Sequence, residues 1–368
     1  MNIILDDSKA KLALYPFTAT RHVADIRIGI LTLREKWARF PGFNLHANEI
    51  ALPNKNTGEG AASYVTIDAG FIPHKEGLEG LTISRERLFS AIDNDQPPTT
   101  NLQPSIINHQ PKLEYPWQIF QYNDWALRKD FEMITLGRLS QPISSSNKII
   151  CPENIFLEDG AVVEHSILNA SFGPIYIGKN AQVMEGCMIR GAFALCEGAV
   201  LKLGTRIYGA TTIGPYCTVG GEIKNSVMFG YSNKAHDGYL GDSVIGEWCN
   251  LGAGTTNSNV KNTAGEVKVW SRVANDYLPA GLKCGLLMGD YTRSAINTSF
   301  NTGTVAGVGC NIFGAGFPPK LIADFTWGKE RYIFEKVLQD ISNWKKLKGK
   351  SITEEEKNTL HQLYFQSQ

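Results

Sequence analysis

The sequence predicts an α/β domain, then a parallel β-helix, then a helical tail. Three observations predict this order: a short apolar run at the start of the chain, an aliphatic residue that returns every sixth position in the middle, and helical spacing of apolar residues near the end. With 368 residues, the chain is long enough for more than one buried core. We expect domains at 1–145 and 146–320 and a helical extension at 321–368.

The front domain combines strand and helix patterns. The run NIIL (2–5) is typical of a short buried strand, and two later sets of apolar residues recur at helical spacing. These sets are Val23, Ile26, Ile30, Leu33 and Trp37, and then Trp117, Phe120, Leu127, Phe131 and Ile134. A strand combined with such helices predicts an α/β domain.

The middle of the chain carries a six-residue repeat. Its aliphatic positions are Ile177, Val183, Ile189, Leu195, Leu201, Ile207, Ile213 and Val219. Neither a helix nor a flat strand keeps this period, whereas a three-faced prism with one hexad on each face does. Eighteen residues then make one coil, and coils stack about 4.8 Å apart. A β-sandwich of many short strands is the alternative.

The repeat shifts after Val219. The next aliphatic position is Val227, eight residues later, and the same frame continues through Asn233, Tyr239, Ile245 and Leu251. We interpret the shift as an insertion of two residues. The glycine-rich stretch 285–316 can supply further coils, which Pro318 and Pro319 are expected to end.

The end of the chain is predicted to be helical. One apolar stripe consists of Phe334, Val337, Leu338, Ile341 and Trp344. Thr353 and Glu356 form a capping-box pattern before a second helix. We expect this tail to pack across the open end of the prism.

The composition and net charge of the chain exclude several classes of protein. The 36 basic and 36 acidic residues cancel, so the overall positive field that attracts nucleic acid or anionic membranes is absent. Charged residues such as Asp6 and Lys9 come too early for a signal segment, and no apolar run is long enough to span a bilayer. We therefore expect a cytoplasmic protein without nucleic-acid or membrane partners. The seven cysteines form no C-x-x-C pair and the histidines no cluster, so no metal site is predicted.

The front of the chain resembles the sugar-1-phosphate nucleotidyltransferases. The resemblance rests on a strand followed by LYPFTATR (14–21), yet the loop that cradles the triphosphate in that family is here DDSKAKLA (6–13), without glycine. Val23 stands near the place of the expected lysine. Arg21, Arg27 and Arg34 are either phosphate ligands or solvated charges. The resemblance implies a reduced domain that uses Mg²⁺ only if it is active.

The repeat resembles the hexapeptide repeat of the left-handed parallel β-helix found in many acyltransferases. Residues 206–259 are similar to the acetyltransferase half of the bifunctional N-acetylglucosamine-1-phosphate uridyltransferase and glucosamine-1-phosphate acetyltransferase family. The motifs are GTRIYG (204–209), EIKNS (222–226), KAHDGYLGDSVIG (234–246) and NLGAGTTNSN (250–259). The resemblance implies an acetyl-CoA-dependent homotrimer that acts on an amino-sugar phosphate in nucleotide-sugar biosynthesis, in a variant with a degenerate front domain.

The resemblance also assigns roles to individual residues. His236 is the expected general base, since an imidazole can accept the proton of an amine near neutral pH. The backbone N–H of Ala253 is the expected oxyanion donor. The other implied positions are Arg206, Lys224, Tyr239, Asn250, Asn259 and Lys268 for the sugar phosphate, and Gly254 and Asp290, with Ala253, for the cofactor. Because Arg206 and Lys224 are eighteen residues apart, an uninterrupted prism would stack them.

Two other kinds of protein are compared with the predicted prism. A γ-type carbonic anhydrase needs three histidines at zinc, and the region 149–318 has only His165 and His236. This class is therefore excluded. The remaining alternative is a non-catalytic trimeric scaffold or nucleotide-sugar-binding protein with decayed active sites, in which His236 is a structural residue.

Overall fold

The computed structural model describes residues 2–40, 44–47, 64–74 and 111–366. The chain begins with a small α/β unit, continues as a parallel β-helix of three faces, and ends in two helices. This is the predicted fold class. Within the described residues, no helix is both long and apolar enough to cross a membrane.

The front unit has a parallel sheet whose central strand is the predicted one. Asn2–Asp6 pairs on one side with Asn44–Ala47 and on the other with Tyr64–Asp68. Helices Gln118–Gln121 and Asn123–Thr135 confirm the second helical prediction.

The first helical prediction in this unit was wrong. Residues 23–37 form a 3₁₀ turn at Val23–Asp25, a hairpin of Arg27–Ile28 and Leu31–Thr32, and a helix only at Leu33–Ala38. Gly29, at φ +71°, turns the chain in the hairpin, and a capping box at Thr32 starts the helix. The apolar residues of the pattern are nevertheless buried. Their spacing therefore reflects burial in the core and not a helix.

The β-helix has three parallel sheets. The first face contains Ile155–Leu157, Ile175–Ile177, Phe193–Leu195, Thr211–Ile213, Val227–Met228, Val244–Ile245, Leu286–Met288, Thr304–Ala306 and Leu321–Ile322. The second face contains Val162–Val163, Gln182–Val183, Val200–Leu201, Thr218–Val219, Asn233–Lys234, Asn250–Leu251, Arg293–Ser294, Asn311–Ile312, Thr326–Trp327 and Glu330–Arg331. The third face contains Lys148–Ile150, Ile167–Asn169, Met188–Arg190, Arg206–Tyr208, Glu222–Lys224 and Tyr239–Gly241.

The aliphatic repeat lines the interior of the prism, as predicted. Ile177, Leu195 and Ile213 stack on successive coils of the first face, and all three are fully buried. Burial of such side chains contributes roughly 1.5–3 kcal/mol each. The prism therefore has its own apolar core, which each coil extends to the next.

The predicted two-residue insertion after Val219 was wrong. Ile213 pairs with Met228, which lies fifteen positions later and not eighteen, so this coil is shortened. The inward positions are then Ile223, Met228, Lys234 and Leu240. A strict period of six predicts Val227, Asn233 and Tyr239 as inward positions. In the structure, each of them lies one residue before the position that faces inward. Val227 instead packs against the core of the front unit.

The outer side of the first face is covered by the front unit. Buried side chains from both parts share one apolar cluster, in which Phe17 lies 5.4 Å from Phe229 between ring centroids. The fully buried Asn123 accepts from the N–H of Gly29 and donates to the carbonyl of Ala210. The front unit is therefore fixed rigidly to the coil.

The coil is interrupted by one hairpin and extends beyond Pro319. Ile245 pairs with Met288, so an excursion of some two dozen residues separates neighbouring coils. It contains the antiparallel strands Lys268–Ser271 and Asp276–Pro279. Leu321–Ile322 continues the first face after the prolines, which therefore do not end the coil as predicted.

The tail consists of helices Phe334–Leu347 and Glu354–Gln366. The predicted stripe is buried at Phe334, Val337 and Ile341, and the capping box forms. The tail does not lie across the end of the prism: it packs along its side, over Trp248, Tyr291 and Phe325 at successive corners, and Lys348 reaches back to the carbonyl of Tyr216. The corner aromatics provide apolar surface there that the end of the prism lacks.

Candidate functional site at the edge between the second and third faces

A groove of about 380 Å³ runs along the edge where the second face turns into the third. It is lined by the corners of four coils, at 202–203, 220–221, 235–237 and 253–254. The groove thus joins His236 to Ala253 and Gly254, which the sequence predicted to act together. It also contains Lys202, a cation that the sequence interpretation did not include.

His236 lies at the exposed corner between strands Asn233–Lys234 and Tyr239–Gly241. Gly238 makes this corner possible, because its φ is +120° and a Cβ there would lie 2.1 Å from the carbonyl oxygen of Thr255. An imidazole at this corner projects into the groove and not into the prism. It is accessible to an acceptor molecule, as a general base must be.

The backbone of the same corner in the next coil offers one N–H group to the groove. The N–H of Gly254 donates to the carbonyl of Asp237 at 3.1 Å, and the carbonyl of Ala253 accepts from Asn297. In the described part of the chain, the N–H of Ala253 has no such acceptor. Ala253, and not Gly254, therefore has the N–H available for a developing oxyanion.

Two cations of the third face, Arg206 and Lys224, each lie beside a carboxylate. Arg206 lies 3.7 Å from Glu222, and Lys224 lies 3.8 Å from Asp242. Arg206 is opposite Glu222 in the sheet and not in register with Lys224, because the coil between them is shortened. The predicted stacking of the two cations therefore does not occur. Both carboxylates, of Glu222 and Asp242, lie within the sequence motifs, but the motifs did not predict that they would pair with these cations.

A hydrogen-bonded cluster surrounds Asp242. Asn259 donates to the hydroxyl of Tyr239 at 3.1 Å and to the carboxylate of Asp242, which also accepts from Asn225 at 2.7 Å. Burial, followed by the charge of Asp242, raises the pKa of Tyr239 above its usual value. Tyr239 is thus a neutral hydroxyl over the physiological range. The structure brings together Lys224, Tyr239 and Asn259, three of the residues that the resemblance assigns to the sugar phosphate.

Arg206 also borders a larger cleft, of about 670 Å³, over the outer surface of the third face. Its walls include Met188, Arg190 and Tyr208. A hydrogen bond to Glu222, together with burial, raises the pKa of Tyr208 to about 12. Within one chain, this cleft and the groove of His236 are separate.

Three predicted site residues lie elsewhere in the chain. Asn250 is on the second face, between Asn233 and Arg293. Lys268 is in the inserted hairpin, whose neighbouring Val267 and Val269 pack into the core of the front unit. Among the described residues, neither of these two side chains makes a hydrogen bond to the Tyr239 cluster.

Asp290 is the third of these residues. Its carboxylate is buried and accepts from Thr20, from Arg21 and from the N–H of Glu247 at 2.7 Å. These bonds belong to the contact between the front unit and the coil. Asp290 has no oxygen directed to the groove, so the predicted cofactor role does not fit its position.

The front loop makes contacts that the sequence did not predict. Arg21, considered as a phosphate ligand, binds Asp290 and Glu247 of the coil. Arg34 pairs with Asp25, and Arg27 donates to the carbonyl of Ile30. All three arginines are therefore committed to contacts within the chain.

A Mg²⁺ site was tested against the carboxylates at the ends of the front strands. Asp6 and Asp68 are partners in the sheet, but Asp68 already pairs with Lys112 at 2.7 Å. Among the described residues, no group of three His, Cys, Asp or Glu side chains is placed to hold a metal ion. The described residues of the front unit therefore do not fit Mg²⁺.

Comparison with known proteins finds one family model and several curated relatives that are similar to parts of the chain. Residues 3–139 match the model of a family described as sugar nucleotidyl transferase. A bifunctional sugar-1-phosphate nucleotidylyltransferase/acetyltransferase of Sulfurisphaera tokodaii is 30% identical over 199 residues, which cover 54% of this chain and 43% of the relative.

Two proteins named bifunctional protein GlmU are also similar. The protein of Methanocaldococcus jannaschii is 30% identical over 118 residues, or 32% of this chain and 28% of the relative. That of a Cyanothece strain is 28% identical over 170 residues, or 42% of this chain and 35% of the relative. The chain spans less than half the length of these curated relatives. The chain is thus similar in residues 3–139 to the sugar nucleotidyl transferase family and, over about half of its length, to bifunctional sugar-1-phosphate nucleotidylyltransferase/acetyltransferases.

Proposed function

We propose that the protein transfers the acetyl group of acetyl-CoA to the amine of an amino-sugar phosphate. One observation carries the proposal: the edge groove brings the exposed His236 and the free N–H of Ala253 together beside the polar cluster of the third face. A base and an oxyanion donor in one groove are the parts that acyl transfer to an amine requires.

The proposed reaction has one bond formed and one broken. The sugar amine attacks the thioester carbonyl, and His236 accepts the proton that the amine loses. The N–H of Ala253 stabilises the oxyanion of the tetrahedral intermediate. The C–S bond then breaks, and the CoA thiolate takes up a proton. Electrons and atoms balance without a metal or a redox partner.

The sugar phosphate is proposed to bind to the third face. Lys224 and Arg206 supply positive charge for the phosphate, and Tyr239 and Asn259 supply hydrogen bonds for the hydroxyls of the sugar. Because Arg206 and His236 border separate clefts in one chain, we propose a homotrimer in which neighbouring prisms complete each site.

Replacement of His236 tests the assignment. His236→Ala is expected to lower the rate of acetyl transfer to glucosamine 1-phosphate by roughly 10²–10⁴-fold while the protein folds normally. His165→Ala is the matched control, because His165 is also an exposed corner histidine on the same edge of the prism. Unchanged turnover in His236→Ala would rule out the assigned base.

A non-catalytic trimeric scaffold remains the second proposal. The contacts of Arg21 with the coil favour a structural front domain, since an arginine held by two carboxylates is not available to a triphosphate. Calorimetric titration with acetyl-CoA separates the two proposals, because a scaffold does not bind it. Release of pyrophosphate from UTP and a sugar 1-phosphate would instead establish nucleotidyl transfer.

A further inference from the structure

Lys234 is a charged residue at an inward position of the prism. It pairs with Val219 on the preceding coil, at a position where other coils carry aliphatic side chains, and its exposed fraction is 0%. Burying an ammonium group without partners costs several kcal/mol, so its partners decide what it does.

The ammonium group of Lys234 binds three backbone carbonyls. Its Nζ donates to His236, to Asp237 at 3.1 Å and to Gly220 at 3.5 Å. The first two belong to the corner that carries the imidazole. An ammonium group has three N–H donors and no acceptor, so these contacts use its full capacity.

These hydrogen bonds fix the orientation of the backbone at His236 and Asp237. Because the carbonyls of His236 and Asp237 are held toward the interior, the side chain of His236 is left to project outward into the groove. The carbonyl of Asp237 also accepts the N–H of Gly254, next to Ala253. One buried group therefore links the corner of the base to the corner of the oxyanion donor.

We propose that Lys234 is a positioning residue, which holds the backbone of His236 and Asp237 so that the imidazole and the N–H of Ala253, on neighbouring corners, open onto the same groove. The role in turnover rests on the proposed acetyl transfer. The ordering of the corner does not, and it can be measured without any substrate.

The test compares Lys234→Met, Lys234→Gln and the control Leu251→Met. Methionine keeps the length of the side chain and removes all N–H donors, whereas glutamine keeps an amide donor. Leu251 stacks on Lys234 in the next coil, and exchanging leucine for methionine there alters the core beside the lysine while its three N–H donors remain.

Two measurements are made on each variant. In hydrogen–deuterium exchange, Lys234→Met is expected to speed exchange in peptides that contain Glu222 and Gly254, whose N–H groups donate to Gly238 and Asp237 of the corner. In turnover, kcat is expected to fall about 10- to 100-fold with KM nearly unchanged, because the groups are misplaced and not removed. Lys234→Gln should lie between Lys234→Met and the wild type, and Leu251→Met should match the wild type.

The outcomes are distinguishable. Exchange at the corner that is the same in Lys234→Met and the wild type would overturn the proposal, as would a loss of kcat equally large in Leu251→Met. Failure of both Lys234 variants to fold would assign the residue to the stability of the coil and would also overturn it. If the wild type transfers no acetyl group, the proposed function fails, while faster exchange in Lys234→Met still supports the ordering role.

Discussion

Arg21 of the front unit and Asp290 of the coil form an ion pair in which only 11% and 3% of the two side chains are exposed. The guanidinium also lies 3.1 Å from Glu247. Burial would lower the pKa of Arg21, but the two carboxylates raise it overall, so the arginine stays charged. Because both side chains are buried and charged, loss of either partner is expected to destabilise the contact between the front unit and the coil.

We expect Arg21→Ala to destabilise the protein by about 3–5 kcal/mol, because it leaves the carboxylate of Asp290 buried without its partner. Equilibrium unfolding in urea measures the change. Arg34→Ala is the control: it removes an arginine from an ion pair with Asp25 whose side chains are 34% and 40% exposed, and it should cost no more than about 1 kcal/mol. Equal losses in the two variants would contradict this explanation.

A second prediction concerns the phosphate of the acceptor. Lys224→Ala is expected to raise KM for a sugar phosphate roughly 10- to 100-fold, the equivalent of one lost charge-assisted hydrogen bond, with a smaller effect on kcat. Steady-state kinetics measures both constants. Lys148→Ala removes an exposed lysine from the first strand of the same face and should change neither. An unaltered KM in Lys224→Ala would exclude Lys224 from the phosphate site.

The interior column of the prism could be predicted from the sequence because it depends on one periodic property. Inward positions such as Ile177 and Leu195 are apolar in most coils, and period six records this directly. The change of register after Val219 could not be predicted, since a shortened coil and a lengthened one both break the period. Only the pairing of Ile213 with Met228 decides between them.

The site was predicted in part. His236 and Ala253 were found through motif resemblance, and both lie in one groove because consecutive coils repeat the same corner. Glu222 and Asp242 were missed as counterions, since their pairing with Arg206 and Lys224 depends on the shortened coil. Asp290 was assigned wrongly because its partner, Arg21, is 269 positions away in the sequence.

A third prediction concerns the corner after His236. Gly238→Ala is expected to move the corner, because the added Cβ would meet the backbone oxygen of Thr255 at 2.1 Å, and to reduce acetyl transfer at least tenfold. Gly204→Ala is the matched control, since Gly204 lies at the same edge with φ +68°, and a Cβ added there would have no heavy atom within 4 Å. It should cost only the backbone strain of about 1–2 kcal/mol and leave the rate unchanged. Equal rates of acetyl transfer in Gly238→Ala and Gly204→Ala would mean that the corner after His236 is not part of the site.

The last prediction uses the pH dependence of stability at Lys234. Burial, only partly offset by the charge of Asp237, lowers the pKa of Lys234 to about 8, from 10.5 for an exposed lysine. Between these values the unfolded chain holds a proton that the folded chain has released, so this group makes stability rise as the pH increases from about 8 to about 10.5. Relative to Lys234→Met, the wild type should gain on the order of 2–3 kcal/mol between pH 7 and pH 10.5. Urea unfolding of both proteins at the two pH values measures the difference, and titrations common to both cancel. A wild type that loses stability relative to the variant over this range would mean that the three carbonyls stabilise the charged amine more than burial destabilises it.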